Sequence, residues 1–383
     1  MGKTLTLPEK RNELENQLAG YRSLPEYVLD GVGALFQFVF DPRDARARKT
    51  FLPPDASAQE DDDFPSYWVN GIVIAIFTFL IGWAITAFEG RSFSPDEYKL
   101  TLWAVVTGAL ALIANKVNIR AFLNTFRRSC ADKMLRTADI DNLENWLAEN
   151  FKVWKPLLSG LLIGPFLGWF LYISWLLNHP LEVPHWGSFV ILALASIQAV
   201  WVAYYLYPFY VAFPSRLNRY HFDLYTPDPS SSEVVGRLSR LLTFILYITV
   251  GFIVWLTVGL TYVDVLTAET PAPGLVFSAF IWAPTVILYA AGQFHLSDVI
   301  TRAKWKMLNE VQTKVEGLYK EKKIPDRDTL DRLNKLMDYH DRIKGTPDSA
   351  LNFRASLNFL NSLLLPILAF VIANLKDVLG FFK

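Results

Sequence analysis

Two stretches of this chain, Tyr67 to Phe88 and Pro156 to Leu177, are apolar from end to end and hold no charged residue. At 1.5 Å per helical residue, runs of this length cross a hydrocarbon core of roughly 30 Å. Five further apolar stretches bring the expected set to seven: 67–88, 99–119, 156–177, 186–213, 241–263, 275–294 and 357–375. The pattern predicts an all-α integral membrane protein with seven transmembrane helices. The second stretch is the weakest, because Asn115, Lys116 and Asn118 occupy its last turns, and Lys116 is expected to snorkel toward the interface. The fourth is the longest and is interrupted by Pro208, so a kink or tilt is expected there. Trp and Tyr gather near the ends of the stretches, among them Tyr67, Trp68, Trp154, Trp175, Trp186, Tyr207 and Tyr262, as at a membrane interface.

The polar segments between these stretches carry the topology. Arg91 is the only Lys or Arg in 89–98, and 178–185 and 264–274 have neither. The alternate segments are rich in both: Arg120, Arg127, Arg128, Lys133, Arg136, Lys152 and Lys155 in one, Arg216, Arg219, Arg237 and Arg240 in the next, and many more over 295–356. Basic loops stay in the cytoplasm, so the expected orientation is N-in and C-out. The first 30 residues have no cationic start leading into an apolar core, which argues against a cleaved signal peptide.

Before the first span, Tyr27 to Phe40 is apolar but too short to cross, and suits an interfacial or docking helix, or a small helix packed on the bundle. Asp41 to Pro65 holds four prolines and the acidic run Glu60-Asp61-Asp62-Asp63, the composition of a linker. Between the last two spans, Leu296, Val299, Ala303, Met307, Val311, Val315 and Leu318 recur at helical spacing. Pro325 interrupts this pattern; Leu330, Leu333, Leu336, Met337 and Ile343 then line a second helix that Gly345 stops. The prediction is a cytoplasmic helical hairpin whose first helix continues the sixth span. The expected partition is therefore an N-terminal cytoplasmic segment (1–65), a six-span bundle (66–294), the hairpin (295–346) and a C-terminal transmembrane segment (347–383).

Composition narrows the function classes. The 383 residues are 52% apolar and 15% aromatic, with 37 Lys and Arg against 37 Asp and Glu, a balance that argues against a nucleic-acid partner. One cysteine, Cys130, leaves no intrachain disulfide, and the five histidines show no metal-ligand spacing. His179 and His185 flank one short loop and are read as interfacial residues. No P-loop, HExxH, GxSxG or selectivity-filter motif occurs, so no enzyme activity, cofactor or metal is expected.

Two constellations remain. Gly160, Gly164 and Gly168 lie four residues apart with Pro165 beside the middle one, a pattern for close helix packing or for a hinge. Gln198 in the fourth span, and Arg354, Asn358 and Asn361 entering the last, are polar groups expected to face protein or a water-filled path. The segment from Tyr220 to Pro229, mixing aromatics, acids and prolines, is read as a connector or a binding loop. These features lead to a channel or pore-like protein, gated through the cytoplasmic hairpin and assembled as a homo-oligomer. The alternative is a non-conducting scaffold or signalling protein that docks a cytoplasmic partner. Membrane lipid is the one partner common to both, and the expected location is a bacterial inner (plasma) membrane.

Overall fold

The computed structural model describes residues 6–40, 64–127, 131–179, 185–217, 219–225, 227–263, 271–321 and 327–348. Among them the chain is helical, apart from short turns and one isolated bridge between Met134 and Phe222. In chain order the helices are α1 (Leu7–Gly20), α2 (Leu24–Phe40), α3 (Phe64–Phe88), α4 (Pro95–Thr125), α5 (Thr137–Asn150), α6 (Trp154–Asn178) and α7 (Trp186–Leu206). They continue with α8 (Phe213–Leu217), α9 (Glu233–Tyr262), α10 (Pro271–Glu321) and α11 (Arg327–Gly345). Five spans are long and apolar enough to cross a membrane: Tyr67–Phe88, Pro95–Thr125, Trp154–Leu177, Trp186–Leu217 and Glu233–Leu260. The expected sixth span, 275–294, falls on α10, and the seventh, 357–375, lies outside the described residues, as does the acidic linker up to residue 63; its last two positions, Phe64 and Pro65, instead open α3.

The least apolar of the five spans is the centre of the bundle. In α4, 72% of the most apolar window is buried, against 22–44% in the other four. A helix enclosed by other helices can carry polar groups because protein, not lipid, satisfies them. Thr101 Oγ1 donates to the Glu97 carbonyl at 2.7 Å, and Thr107 Oγ1 accepts from Trp255 Nε1 of α9 at 3.0 Å. The peripheral α6, by contrast, presents Leu161, Leu162, Phe166 and Phe170 outward. Hydrophobicity along this chain therefore tracks contact with lipid, and the polar break in the second stretch marks the core.

At Pro208 the fourth span changes pitch rather than stopping. Proline has no N–H for the Tyr204 carbonyl and its ring crowds that turn. Residues Tyr207–Ala212 widen into a π-helical segment, in which the Phe213 N–H reaches the Pro208 carbonyl, and α8 then resumes the α pitch. The wide turn swings Phe209 and Phe213 into one aromatic cluster at the Lys/Arg-rich end of the bundle. Phe122 lies edge-on to both, with ring centroids 4.9 and 4.8 Å away, and Trp146 of α5 closes on Phe209 at 5.4 Å. Leu14 and Leu18 of α1, Leu238 of α9 and Ile300 of α10 are buried in the same cluster. Apolar groups outside the lipid are driven together by water, so this end is a conventional core capping the bundle.

The segment from Tyr220 to Pro229 is pinned within this cap. The Leu135 N–H donates to the His221 carbonyl at 2.9 Å, and the Asp223 N–H to the Lys133 carbonyl at 2.8 Å. Asp139 accepts from the His221 N–H at 2.9 Å, and its carboxylate lies 3.0 Å from that ring's Nδ1. The first part of the segment is thus held against residues 133–139.

Glu144 of α5 stands where α1 crosses, and burial, reinforced by Glu13 and Asp141, lifts its carboxyl above the usual range. As pH rises, the unfolded chain loses this proton before the folded one, so the native state is penalised above about pH 4 and not below it. Glu144→Gln is expected to raise thermal stability at pH 7 by less than about 1 kcal/mol. Melting curves at pH 7 and pH 4 check this: the gain should disappear at the lower pH.

Helix α10 runs 51 residues without a break, about 76 Å of helix. Beyond the predicted sixth span it packs against α11 through Leu308, Val311 and Ile343, with Met307, Val315, Leu336 and Tyr339 around them. Ser297 Oγ donates to the Asp348 carbonyl at 2.7 Å, and Lys304 Nζ reaches the Thr346 carbonyl and the Asp348 carboxylate at 2.7 and 2.8 Å. The end of α11 thus lies beside the middle of α10.

Candidate functional site: a charged zipper between α2 and α4

Helix α2 is too short to span, and it is stitched to the bundle by charge. Glu26 and Asp30 sit four residues apart and share a face of α2, as Lys116 and Arg120 do on α4. The helices meet antiparallel, so the two pairs match in reverse order. Arg120 Nε donates to Glu26 at 2.5 Å, and Lys116 Nζ to Asp30 at 2.7 Å. The other Glu26 oxygen accepts from the Ser23 N–H at 2.7 Å, closing the first turn of α2. Asn115 Nδ2 donates to Ser23 Oγ at 3.3 Å, and the Leu24 N–H to the Tyr205 hydroxyl at 2.9 Å, which ties α2 to α7 as well.

Burial makes this zipper costly to break. The side chain of Glu26 is fully buried and that of Lys116 is 3% exposed. Lys116 does not snorkel as the sequence suggests; Asp30 holds it inside, and its ammonium stands 3.3 Å from the centroid of the Tyr67 ring. Asp30 also takes Arg22 Nη1 at 2.9 Å, so its carboxylate joins a cation of α4 to one in the turn before α2. Paired, hydrogen-bonded charges are tolerable in such a place and a lone one is not.

A second buried carboxylate lies at the opposite end of α4. Glu97 is fully buried at the third residue of the helix; its side chain accepts from the Ser94 N–H at 2.9 Å, while Ser94 Oγ accepts from the Glu97 N–H at 3.3 Å. It also accepts from Ser188 Oγ of α7 at 3.0 Å, and His185 Nδ1 lies 2.7 Å away. The Tyr172 hydroxyl accepts the His185 N–H at 2.7 Å, so Glu97 ties the starts of α4 and α7 to α6. His179 stacks on Trp175 with ring centroids 4.7 Å apart. Among the described residues no three His, Cys, Asp or Glu side chains are grouped to hold a metal.

The residues singled out from the sequence fall elsewhere. Gly160, Gly164 and Gly168 of α6 all face α7. A Cβ on Gly160 would run into Trp201, one on Gly164 would lie 2.6 Å from Ile197 Cα, and one on Gly168 2.6 Å from Ala193 Cα. The contacts step along α7 by four residues as those on α6 do, in the opposite sense. Pro165 lies inside α6, which continues unbroken past it. Gln198 lies against Gly108 of α4, where a Cβ would meet its side-chain amide. Arg354, Asn358 and Asn361 lie outside the described residues, so the proposed polar path is represented here by Gln198 alone.

The zipper was legible as spacing: two acids at i, i+4 in a short apolar helix, and two bases at i, i+4 at the end of a span. Neither pair reads as a motif by itself, and only their complementarity marks them. Chemically the arrangement holds helices together: Arg120 engages Glu26, and Lys116 and Arg22 engage Asp30. No protein-family model, curated protein or solved structure matches this chain, so the functional reading rests on its geometry.

Proposed function

We propose that the protein is a non-conducting membrane scaffold that docks a cytoplasmic protein partner on the α10–α11 helical pair. In this reading the Lys/Arg-rich end is cytoplasmic, the chain enters N-in, and 275–294 and 357–375 complete seven spans. The α10–α11 pair is then the cytoplasmic hairpin between the last two. One observation carries the reading: this pair leaves Trp305 and Tyr319 of α10, and Leu330 and Met337 of α11, about half exposed or more, outside the expected lipid zone. Large aromatic and apolar side chains left exposed on a charged helical pair are the usual anchors of a protein interface. The polar groups inside the bundle support the same reading, because Lys116, Arg120, Glu97 and Thr107 are spent on other helices. A photo-crosslinking residue at Trp305 or Met337 in cells is expected to give one adduct of defined mass, absent when the residue is at Phe166. Equal adducts at all three positions, or none at Trp305 and Met337, would overturn the docking surface.

A pore along the α4–α9 seam is the second reading. It is favoured by one observation: grooves open between these helices near both ends, one lined by Tyr98, Leu102, Trp103 and Trp255, the other by Asn124, Thr125, Arg237 and Arg240. Here the chain would assemble as a homo-oligomer and the hairpin would gate the path. Ion flux separates the two readings.

A further inference from the structure

The groove at the basic end of the α4–α9 seam has the chemistry of a lipid headgroup site. Its volume is about 510 Å³, and Ala121, Asn124 and Thr125 of α4 face Arg237, Arg240, Leu241 and Phe244 of α9 across it. The two arginines lie one turn apart at the point where α9 turns apolar. Residues 241–263 hold no charged side chain, so the guanidinium groups sit at the edge of the hydrocarbon. Below them Phe244 and Tyr247 are exposed on the outer face of α9, and at Gly251, one turn further, a Cβ would meet no protein atom within 4 Å. The groove therefore joins a cationic, hydrogen-bonding mouth to a shallow apolar track.

We propose that this groove binds one anionic phospholipid, its phosphodiester held by Arg237 and Arg240 and one acyl chain laid over Phe244 and Tyr247. Charge complementarity selects the occupant. At the mouth, Glu233 accepts from Arg237 Nη2 at 2.5 Å, and Arg240 Nε donates to its own helix at the Gly236 carbonyl, 3.2 Å away. Two cations against this carboxylate leave the mouth positive, and Asn124 and Thr125 add neutral polar groups. A planar guanidinium matches phosphate oxygens in pairs, which a zwitterionic lipid engages less well because its own cation competes. Clefts of this kind between spans at a basic face are where acidic lipids are held. The proposal does not rest on the scaffold reading; a lipid held here would occupy one end of the seam that the pore reading uses.

The test is native mass spectrometry of the full-length protein in detergent, titrated with phosphatidylglycerol or with phosphatidylcholine. One phosphatidylglycerol is expected to be retained at collision energies that strip phosphatidylcholine, with at least about ten-fold preference. That corresponds to roughly 1.4 kcal/mol. Arg237→Gln with Arg240→Gln should abolish the preference, while Arg302→Gln, on the exposed face of α10, should leave it intact. Equal retention of the two lipids by the unaltered protein would overturn the proposal, and that comparison needs no variant to fold. Displacement by glycerol phosphate at equal concentration would also overturn it, by reducing the groove to a simple anion site. Loss of the preference in Arg302→Gln would do the same.

Discussion

Gly164→Leu is expected to prevent stable assembly of the bundle, costing more than about 3 kcal/mol, beyond the range for overpacking a core that can adjust. The reason lies in which atoms the new side chain meets. At Gly164 the first carbon alone would lie 2.6 Å from Ile197 Cα and 2.7 Å from its nitrogen, both backbone atoms of α7. A side chain can rotate away, but a helix backbone can only translate, and translation would also part Gly160 from Trp201 and Gly168 from Ala193. In lipid no hydrophobic force brings the helices back, because their apolar faces are solvated equally well when apart. Gly251→Ala is the control: it removes a glycine from a helix interior at a place with open space, and should change stability by no more than about 1 kcal/mol, toward gain. Yield of folded protein in mild detergent and its melting temperature read both. A Gly164→Leu protein as stable as the parent would mean that α6 and α7 do not approach as closely as described.

Asp30→Asn is expected to destabilise the protein by about 3 kcal/mol, near the lower bound for orphaning one partner of a buried ion pair. Asp30 is about one-third exposed on its side chain, which lets water reach the pair and keeps the cost at that end of the range. Lys116 is not so placed: with its carboxylate gone, an ammonium 3% exposed loses its ion-pair partner and keeps the Tyr67 ring beside it. Adding Lys116→Met removes the stranded charge while filling much of the same volume. The double variant should therefore recover most of the loss. A double-mutant cycle on thermal unfolding separates this from simple damage to α2, since additive losses would show that the two side chains do not interact. Protease sensitivity of α2 should rise in the single variant and fall again in the double.

How much of the structure is readable from the chain depends on what each residue answers to. Span positions are legible because length and apolarity are dictated by the bilayer: 67–88 and 156–177 coincide with observed spans to within a few residues. The effect of Pro208 is legible too, since a missing N–H must disturb the turn before it, although a widened turn rather than a sharp kink absorbs it. The ranking of the spans is not legible. Asn115, Lys116 and Asn118 make 99–119 the weakest span by composition, yet those residues mark the most enclosed helix, where Asn115 bonds Ser23 and Lys116 pairs with Asp30. Short α2 can be read as either interfacial or packed on the bundle, because its apolar face says nothing about partners; Glu26 and Asp30 resolve it only when set against Lys116 and Arg120. The glycine spacing on α6 carries packing information, but the identity of the facing residues, Ala193, Ile197 and Trp201, depends on an antiparallel register that no single segment encodes. The last-span residues Arg354, Asn358 and Asn361 fall outside the described residues, so the pore reading keeps its sequence argument and gains from the structure only the grooves along α9.

The measurement closest to the central claim is ion flux from sealed proteoliposomes holding the purified full-length protein, made with and without residues 295–346. A scaffold whose Lys116, Arg120, Glu97 and Thr107 are engaged by neighbouring helices predicts flux no greater than from empty liposomes in both preparations. Flux above that background from the folded protein, abolished by Asn358→Leu with Asn361→Leu, would contradict the account and put the pore in its place.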